Sequence, residues 1–198
     1  MTNQTRVPAV EVTGMYGGLV KTIARRKLGL VPDSLGVLWQ HRPVMMDMMK
    51  FGGRTEKWDE LDDSLSVLAT MAAAATVGCS FCLDLHYFMA HDKGLDEEKA
   101  REVPIWREST RFTPLERLVM EYSEAMSQTP PTVTDELSDA LRAEIGTPAL
   151  IELAAKVGYL NATARSNIAL GIHADGFADA CGLAPLATAG STGVASQA

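Results

Sequence analysis

Cysteine is sparse in this sequence, positive charge is not in excess, and no long uninterrupted apolar run occurs; each shortage removes a class of protein. Three cysteines, two of them in one short motif, do not make the evenly spaced framework of a secreted disulfide scaffold. In a reducing compartment a CxxC pair is more often catalytic or metal-binding. Lys and Arg number 18 against 25 Asp and Glu, for a net charge of -7, which argues against a phosphate-backbone footprint and so against a nucleic-acid partner. The one basic cluster, Arg25, Arg26 and Lys27, reads as a solvated helix end. Residues 67–77, the most apolar stretch, are too few and too rich in Ala for a membrane span. The opening MTNQTR lacks the apolar core of a secretory signal. These absences lead us to expect a cytoplasmic protein with no membrane partner.

What is present is helical periodicity, with Pro and Gly falling between the periodic segments. The expected class is all-α, built from antiparallel helix pairs in a single domain over residues 1–186, with a mobile tail over 187–198 whose Ala, Gly, Ser and Thr offer little surface to offset ordering entropy. The first helix is expected over 15–28, closed by Gly29. A short one opens at Pro32 and ends near His41, and the next starts at Pro43, runs through Met49 and closes at Gly52 and Gly53. Met45, Met46, Met48 and Met49 on it read as adaptable packing. Asp62, Asp63 and Ser64 cap a helix over 65–77. Gly78 interrupts, and residues 79–91 follow as a helix with Gly94 as its C-cap. Later helices are expected over 96–103, from Thr113 and Pro114 to Ser127, and from Thr134 to Ile145. The last is a long helix from Thr147 and Pro148 that continues past Ile172 to Cys181 with a local break near Gly171 or Gly176.

The chemistry concentrates in one stretch, Gly78-Cys79-Ser80-Phe81-Cys82-Leu83-Asp84-Leu85-His86. Residues three and four apart on a helix are neighbours, so Cys79, Cys82 and His86 form a column of thiol, thiol and base. A helix N-terminus or an adjacent His lowers a thiol pKa toward neutrality, and the thiolate is the nucleophile. Zinc would need more ligands than this motif supplies, since no second CxxC or His-x3-His pair exists and Cys181 is distant. A thioredoxin-like site would follow a strand, whereas this motif follows a helix. The plain alternative makes both cysteines small buried hydrophobes and His86 a satisfied core residue. The remaining reading is a thiol peroxidase, or a related disulfide-exchange enzyme, on a helical scaffold without a bound cofactor. In it Cys82 attacks the peroxide, His86 accepts and returns the proton, and Cys79 condenses with the Cys82 sulfenic acid to a disulfide. His41, His91 and His173 read as structural or solvated, and Asp84 as turned away from the thiols toward solvent or an interface.

These residues resemble the carboxymuconolactone decarboxylase and alkyl hydroperoxidase D-like (AhpD-like) proteins. The likeness covers residues 32–177, through the Cys79 to His86 core, Gly94-Leu95-Asp96-Glu97-Glu98-Lys99, Thr113-Pro114-Leu115-Glu116-Arg117, and Gly158-Tyr159-Leu160-Asn161 with Ala169-Leu170-Gly171-Ile172. It implies an all-helical fold assembled as a homo-oligomer, trimeric or hexameric, with its active site near a subunit contact. It further implies reduction of organic peroxides by Cys79, Cys82 and His86, recharged by an external dithiol of lipoyl type. The decarboxylase branch typically lacks the CxxC pair. Two positions depart from the peroxidase pattern: Val67 stands where a relay Glu is found, and Phe81 where a His precedes the second Cys. Loss of that carboxylate is expected to raise the thiol pKa, with Glu121 or Glu60 as candidate substitutes. A lactone decarboxylase or isomerase using His86 with a carboxylate, and a non-catalytic redox-sensing or binding oligomer, are the other functions the residues allow.

Overall fold

The computed structural model describes residues 5–188, and among them the chain is all-α. In order, the helices are α1 (Gly14–Leu28), α2 (Asp33–Leu38, extended by a 3-10 turn Trp39–His41), α3 (Arg42–Thr55), α4 (Asp63–Val77), α5 (Ser80–Asp92), α6 (Glu97–Arg101), α7 (Pro114–Ser127), α8 (Asp135–Leu170) and α9 (Phe177–Ala180). No described helix is long and apolar enough to cross a membrane.

At the centre lies α4, because its sequence is apolar on every side. Asp62 starts it by accepting the amides of Ser64 and Leu65. Leu68, Ala69, Met71, Ala73 and Ala74 are completely buried, and the alanines let α5, α7 and α8 pack directly against the α4 backbone. The start of α7 is fixed by a reciprocal box, Thr113 Oγ1 accepting the Glu116 amide while Glu116 accepts that of Thr113; such a cap stabilises by about 0.5–2 kcal/mol. Glu116 also pairs with Lys99 at 2.8 Å. As expected, the helix from Thr134 stops at Gly146, whose φ of 80° and ψ of 164° kink α8 before Pro148 restarts it.

Several expectations need correction. Gly52 and Gly53 do not close α3, which runs on to Thr55. At Gly52 the missing side chain is used for packing instead, since a Cβ there would come within 3.0 Å of the Tyr159 hydroxyl, which donates to the Met48 carbonyl at 2.6 Å. Nor does α8 continue to Cys181. It ends at Leu170, where Gly171 turns left-handed at φ 72° and a Cβ would meet the Arg6 amide at 2.7 Å. Arg6 donates that amide to the Leu170 carbonyl, so the incoming N-terminal segment occupies the space a continuing helix would need. The acidic helix is also shorter than the 96–103 expected and passes into a 3-10 turn, Val103–Ile105.

Asp84, expected to meet solvent or an interface, is instead a clasp. Its carboxylate accepts the amides of Gly176, Phe177 and Ala178 at 2.9–3.0 Å, the unpaired donors at the start of α9. Phe177 is thereby held fully buried, edge-on to Phe81 with ring centroids 5.7 Å apart. Full burial of such a ring contributes about 1.5–3 kcal/mol. The clasp fixes α5, and so the cysteine motif, against the C-terminal segment. Of the tail expected to be mobile, Ala187 is buried and donates its amide to Arg101, while residues 189–198 lie outside the described residues.

Candidate active site

Local backbone geometry presents the two thiols in different ways. Gly78 closes α4 in the left-handed conformation (φ 79°, ψ 27°), and Cys79, extended at φ -86° and ψ 97°, becomes the N-cap of α5. A residue at that position aims its side chain at the free amides of the first turn. Cys79 Sγ accepts the Cys82 amide at 3.2 Å, doing with sulfur what Ser or Asp does with oxygen. Cys79 is 1% and Cys82 3% exposed, but only Cys82 lines the adjoining cavity, of about 320 Å³. Both are unpaired thiols, as is the exposed and distant Cys181.

The surroundings favour the thiolate at Cys79 over one at Cys82. The Cys82 thiol donates to Cys79, and together with the Cys82 amide and the Asn167 side chain it lowers the Cys79 pKa to about 7 in spite of burial. Cys82 is pushed far up by the same interaction, by burial and by the neighbouring Cys79 charge. The increase expected from loss of the relay carboxylate is therefore not met at Cys79, because helix-start and thiol donors replace it. Asn167 Nδ2 also reaches Cys82 Sγ at 3.5 Å. We expect thiolate ultraviolet absorbance to show one thiolate titrating near pH 7. In Cys82→Ala the main donor is gone, and that midpoint rises; an unchanged midpoint would contradict the assignment.

His86 lies on the cavity wall one turn beyond Cys82. Its Nδ1 is 2.8 Å from the Cys82 carbonyl; a carbonyl can only accept, so Nδ1 carries the hydrogen and Nε2 keeps a lone pair. Burial lowers the His86 pKa, Glu56 opposing and Lys93 reinforcing that effect. The ring is accordingly a neutral base at pH 7.

The rest of the wall is largely apolar. Met45, Met48, Met49 and Met89 line it, with Leu85, Leu160 and Val67, so three of the four early methionines are cavity wall. Met46 turns away, its sulfur accepting the Tyr16 hydroxyl. Neither expected carboxylate substitute reaches the cavity. Glu60 is exposed and its amide donates to Glu152, while Glu121 faces a separate hollow beside Arg107 and Thr129. The carboxylate at the cavity is Glu56, held by Lys93 at 3.1 Å, which also grips Asp63 at 3.1 Å. Opposite, Lys156 lines the cavity and pairs with Glu152 at 2.7 Å, both side chains almost wholly buried. Sequence reading had passed over Glu56, Lys156, Tyr159, Thr163 and Asn167. The last four carried a signal, since their spacings of three and four put them on one helix face. The remaining histidines are apart from the site: His41 caps α3 by accepting the Val44 amide, and His91 and His173 are exposed. No described group of three or more His, Cys, Asp or Glu is placed to hold a metal ion.

Comparison with known proteins now has a geometry to stand on. The carboxymuconolactone decarboxylase family model matches residues 43–125, from the start of α3 to within α7. An Escherichia coli (strain K12) protein, the uncharacterised YnjA, is 38% identical over 140 residues, 70% of this chain and 77% of YnjA. This chain belongs to the carboxymuconolactone decarboxylase family. Among family-like solved structures, a protein of unknown function from Agrobacterium tumefaciens, described as a putative antioxidant defence protein AhpD, aligns with a TM-score of 0.65 at 20% identity, covering 69% of this chain and 94% of that one. A Cys-to-Ala variant of the debrominase Bmp8 in complex with 2,3,4-tribromopyrrole aligns with a TM-score of 0.76 at 16% identity, covering 87% and 94%. At those identities the likeness is one of fold. The family supports a peroxidase-like or decarboxylase-like function in general terms.

Proposed function

We propose that the protein is a thiol peroxidase that reduces organic hydroperoxides with the Cys79/Cys82 couple. The supporting observation is the division of labour between the thiols: Cys82 faces the cavity, while Cys79 sits directly behind it and holds the lower pKa. Cys79 thiolate takes the Cys82 proton, and Cys82 sulfur, with the Asn167 amide beside it, attacks the near peroxide oxygen. The O–O bond breaks, Cys82 becomes a sulfenic acid, and the alkoxide receives a solvent proton relayed through His86 Nε2. The Cys79 thiol then attacks the sulfenic sulfur, forming the disulfide and releasing water. One external dithiol, of lipoyl type, returns both thiols by exchange and leaves as its own disulfide.

This reading places the protein in the cytoplasm, where reduced thiols persist. It also includes a homo-oligomer, trimeric or hexameric, in which side chains such as Met15 and Ile151, 96% and 65% exposed, would be covered. The chain over residues 1–186 acts as one domain in this proposal. The CxxC pair counts against a lactone decarboxylase, which has no use for a disulfide.

The test is a thiol count before and after one equivalent of organic hydroperoxide, followed by dihydrolipoamide. Two thiols should vanish, one alcohol should form per pair lost, and the dithiol should restore both for repeated cycles. If no thiol is lost the peroxidase reading fails, and if a single oxidation resists every dithiol the protein is a sensor.

A further inference from the structure

Beside the cavity at Cys82 lies a second one of about 370 Å³, roofed by α1. We propose that it holds the hydrocarbon chain of the substrate, which is a long-chain organic hydroperoxide with an anionic end. The proposal rests on the peroxidase reading and adds the substrate class.

The two cavities share walls. Ser34, Leu38, Met45, Met49 and Phe81 line both, so the chambers are adjacent, with these side chains standing between them. The outer chamber is apolar, faced by Leu19, Val20, Ile23 and Ala24 of α1, and the one charged side chain among its lining residues is Lys27, in the last turn of that helix. Phe81 stands at the junction, and its phenyl ring continues the apolar wall from one chamber to the other. Met45 and Met49 flank the same junction, and unbranched thioethers can change rotamer to let a chain through.

Size and chemistry select the occupant. Ligand cavities usually span about 300–1,000 Å³, and the inner chamber alone is at the bottom of that range. A small alkyl hydroperoxide fits there without using the outer one. Each additional methylene buried improves binding about fourfold, so a chain long enough to enter the outer chamber is strongly preferred over a short one. Lys27 at the outer chamber then faces the end of the chain remote from the peroxide, where a carboxylate would complement it.

The experiment measures binding of a redox-inert analogue, an octadecanoid hydroxy acid, by titration calorimetry, beside turnover of tert-butyl hydroperoxide. Ala24→Phe fills the outer chamber from α1, and Ile23→Trp does so from its exposed edge should the first variant fold poorly. The expected result is at least tenfold weaker hydroxy-acid binding in the folded variant with tert-butyl hydroperoxide kinetics unchanged. Lys27→Gln should weaken the free acid and leave its methyl ester unaffected. Absence of hydroxy-acid binding to the wild type, or equal binding by the filled variant, overturns the proposal. So does a filled variant that changes only the sedimenting mass, because the α1 surface would then be covered by a second copy of the chain. Binding needs no turnover, so a protein that binds the hydroxy acid but leaves peroxides intact would defeat the peroxidase reading and not the chamber assignment.

Discussion

Replacement of Cys82 by Ser is expected to lower hydroperoxide turnover on the order of 10³-fold or more, the scale on which removal of a covalent nucleophile acts. The geometry makes the two cysteines unequal in kind. Cys82 borders the cavity and Cys79 does not, so a peroxide in that cavity meets Cys82 first. Cys79→Ser should therefore still permit one reaction, slowed by loss of the Cys79 base: a single equivalent of peroxide consumed and a Cys82 sulfenic acid that a cyclic diketone can trap. Cys82→Ser should show neither burst nor trap. Wild-type turnover in Cys82→Ser would sink the mechanism, and a trappable sulfenic acid in that variant would reverse the two roles. The lower pKa of Cys79 does not compete with this assignment. It keeps a base within hydrogen-bond reach of Cys82, and the thiol that attacks is chosen by access.

The same unequal pair shows what a sequence can reveal. Helical spacing alone placed Cys79, Cys82 and His86 in one column, and the caps at Asp62, Thr113 and Thr134 were legible because each is a local contract between a side chain and amides two or three residues away. The direction of the Cys79 shift owes most to Cys82, three residues away, and was within reach of the sequence; the further contribution of Asn167, 85 residues beyond Cys82, was not. Asp84 failed for a similar reason: the amides it gathers come from Gly176 to Ala178, and helical periodicity says nothing about partners so far along the chain. Gly52 looked like a terminator because propensity treats a glycine as a weakness. In the fold it is the gap that admits Tyr159. The substitute carboxylate was misplaced because Glu60 and Glu121 were chosen by their position along the sequence. Glu56 reaches the cavity only because α3 outruns its glycines by a turn.

The second large effect belongs to the buried ion pair on the far wall. Lys156→Met should destabilise the fold by about 3–5 kcal/mol, the usual consequence of leaving one charge of a buried pair alone. That corresponds to a melting temperature lower by roughly 6–20 °C for a chain of this size. Lys156 Nζ is 2.7 Å from Glu152 Oε1, with side chains 7% and 5% exposed. After the substitution the Glu152 carboxylate would keep the Glu60 amide at 2.9 Å as a partner, and one backbone amide does not balance a charge. The double variant Glu152→Gln with Lys156→Met should recover most of the loss, because the neutral amide still accepts from Glu60 and no buried charge remains. A single variant within about 1 kcal/mol of wild type, on the surface-pair scale, would mean that solvent reaches Glu152 and that this wall of the cavity is wetter than its packing shows. Met at 156 would also extend the apolar lining toward Tyr159. A folded double variant therefore separates the stability role of the pair from any role in catalysis: unchanged kcat for a small hydroperoxide makes the pair a strut between α8 and the segment after α3, and a lost kcat with intact thiol titration makes Lys156 a group that contacts the substrate.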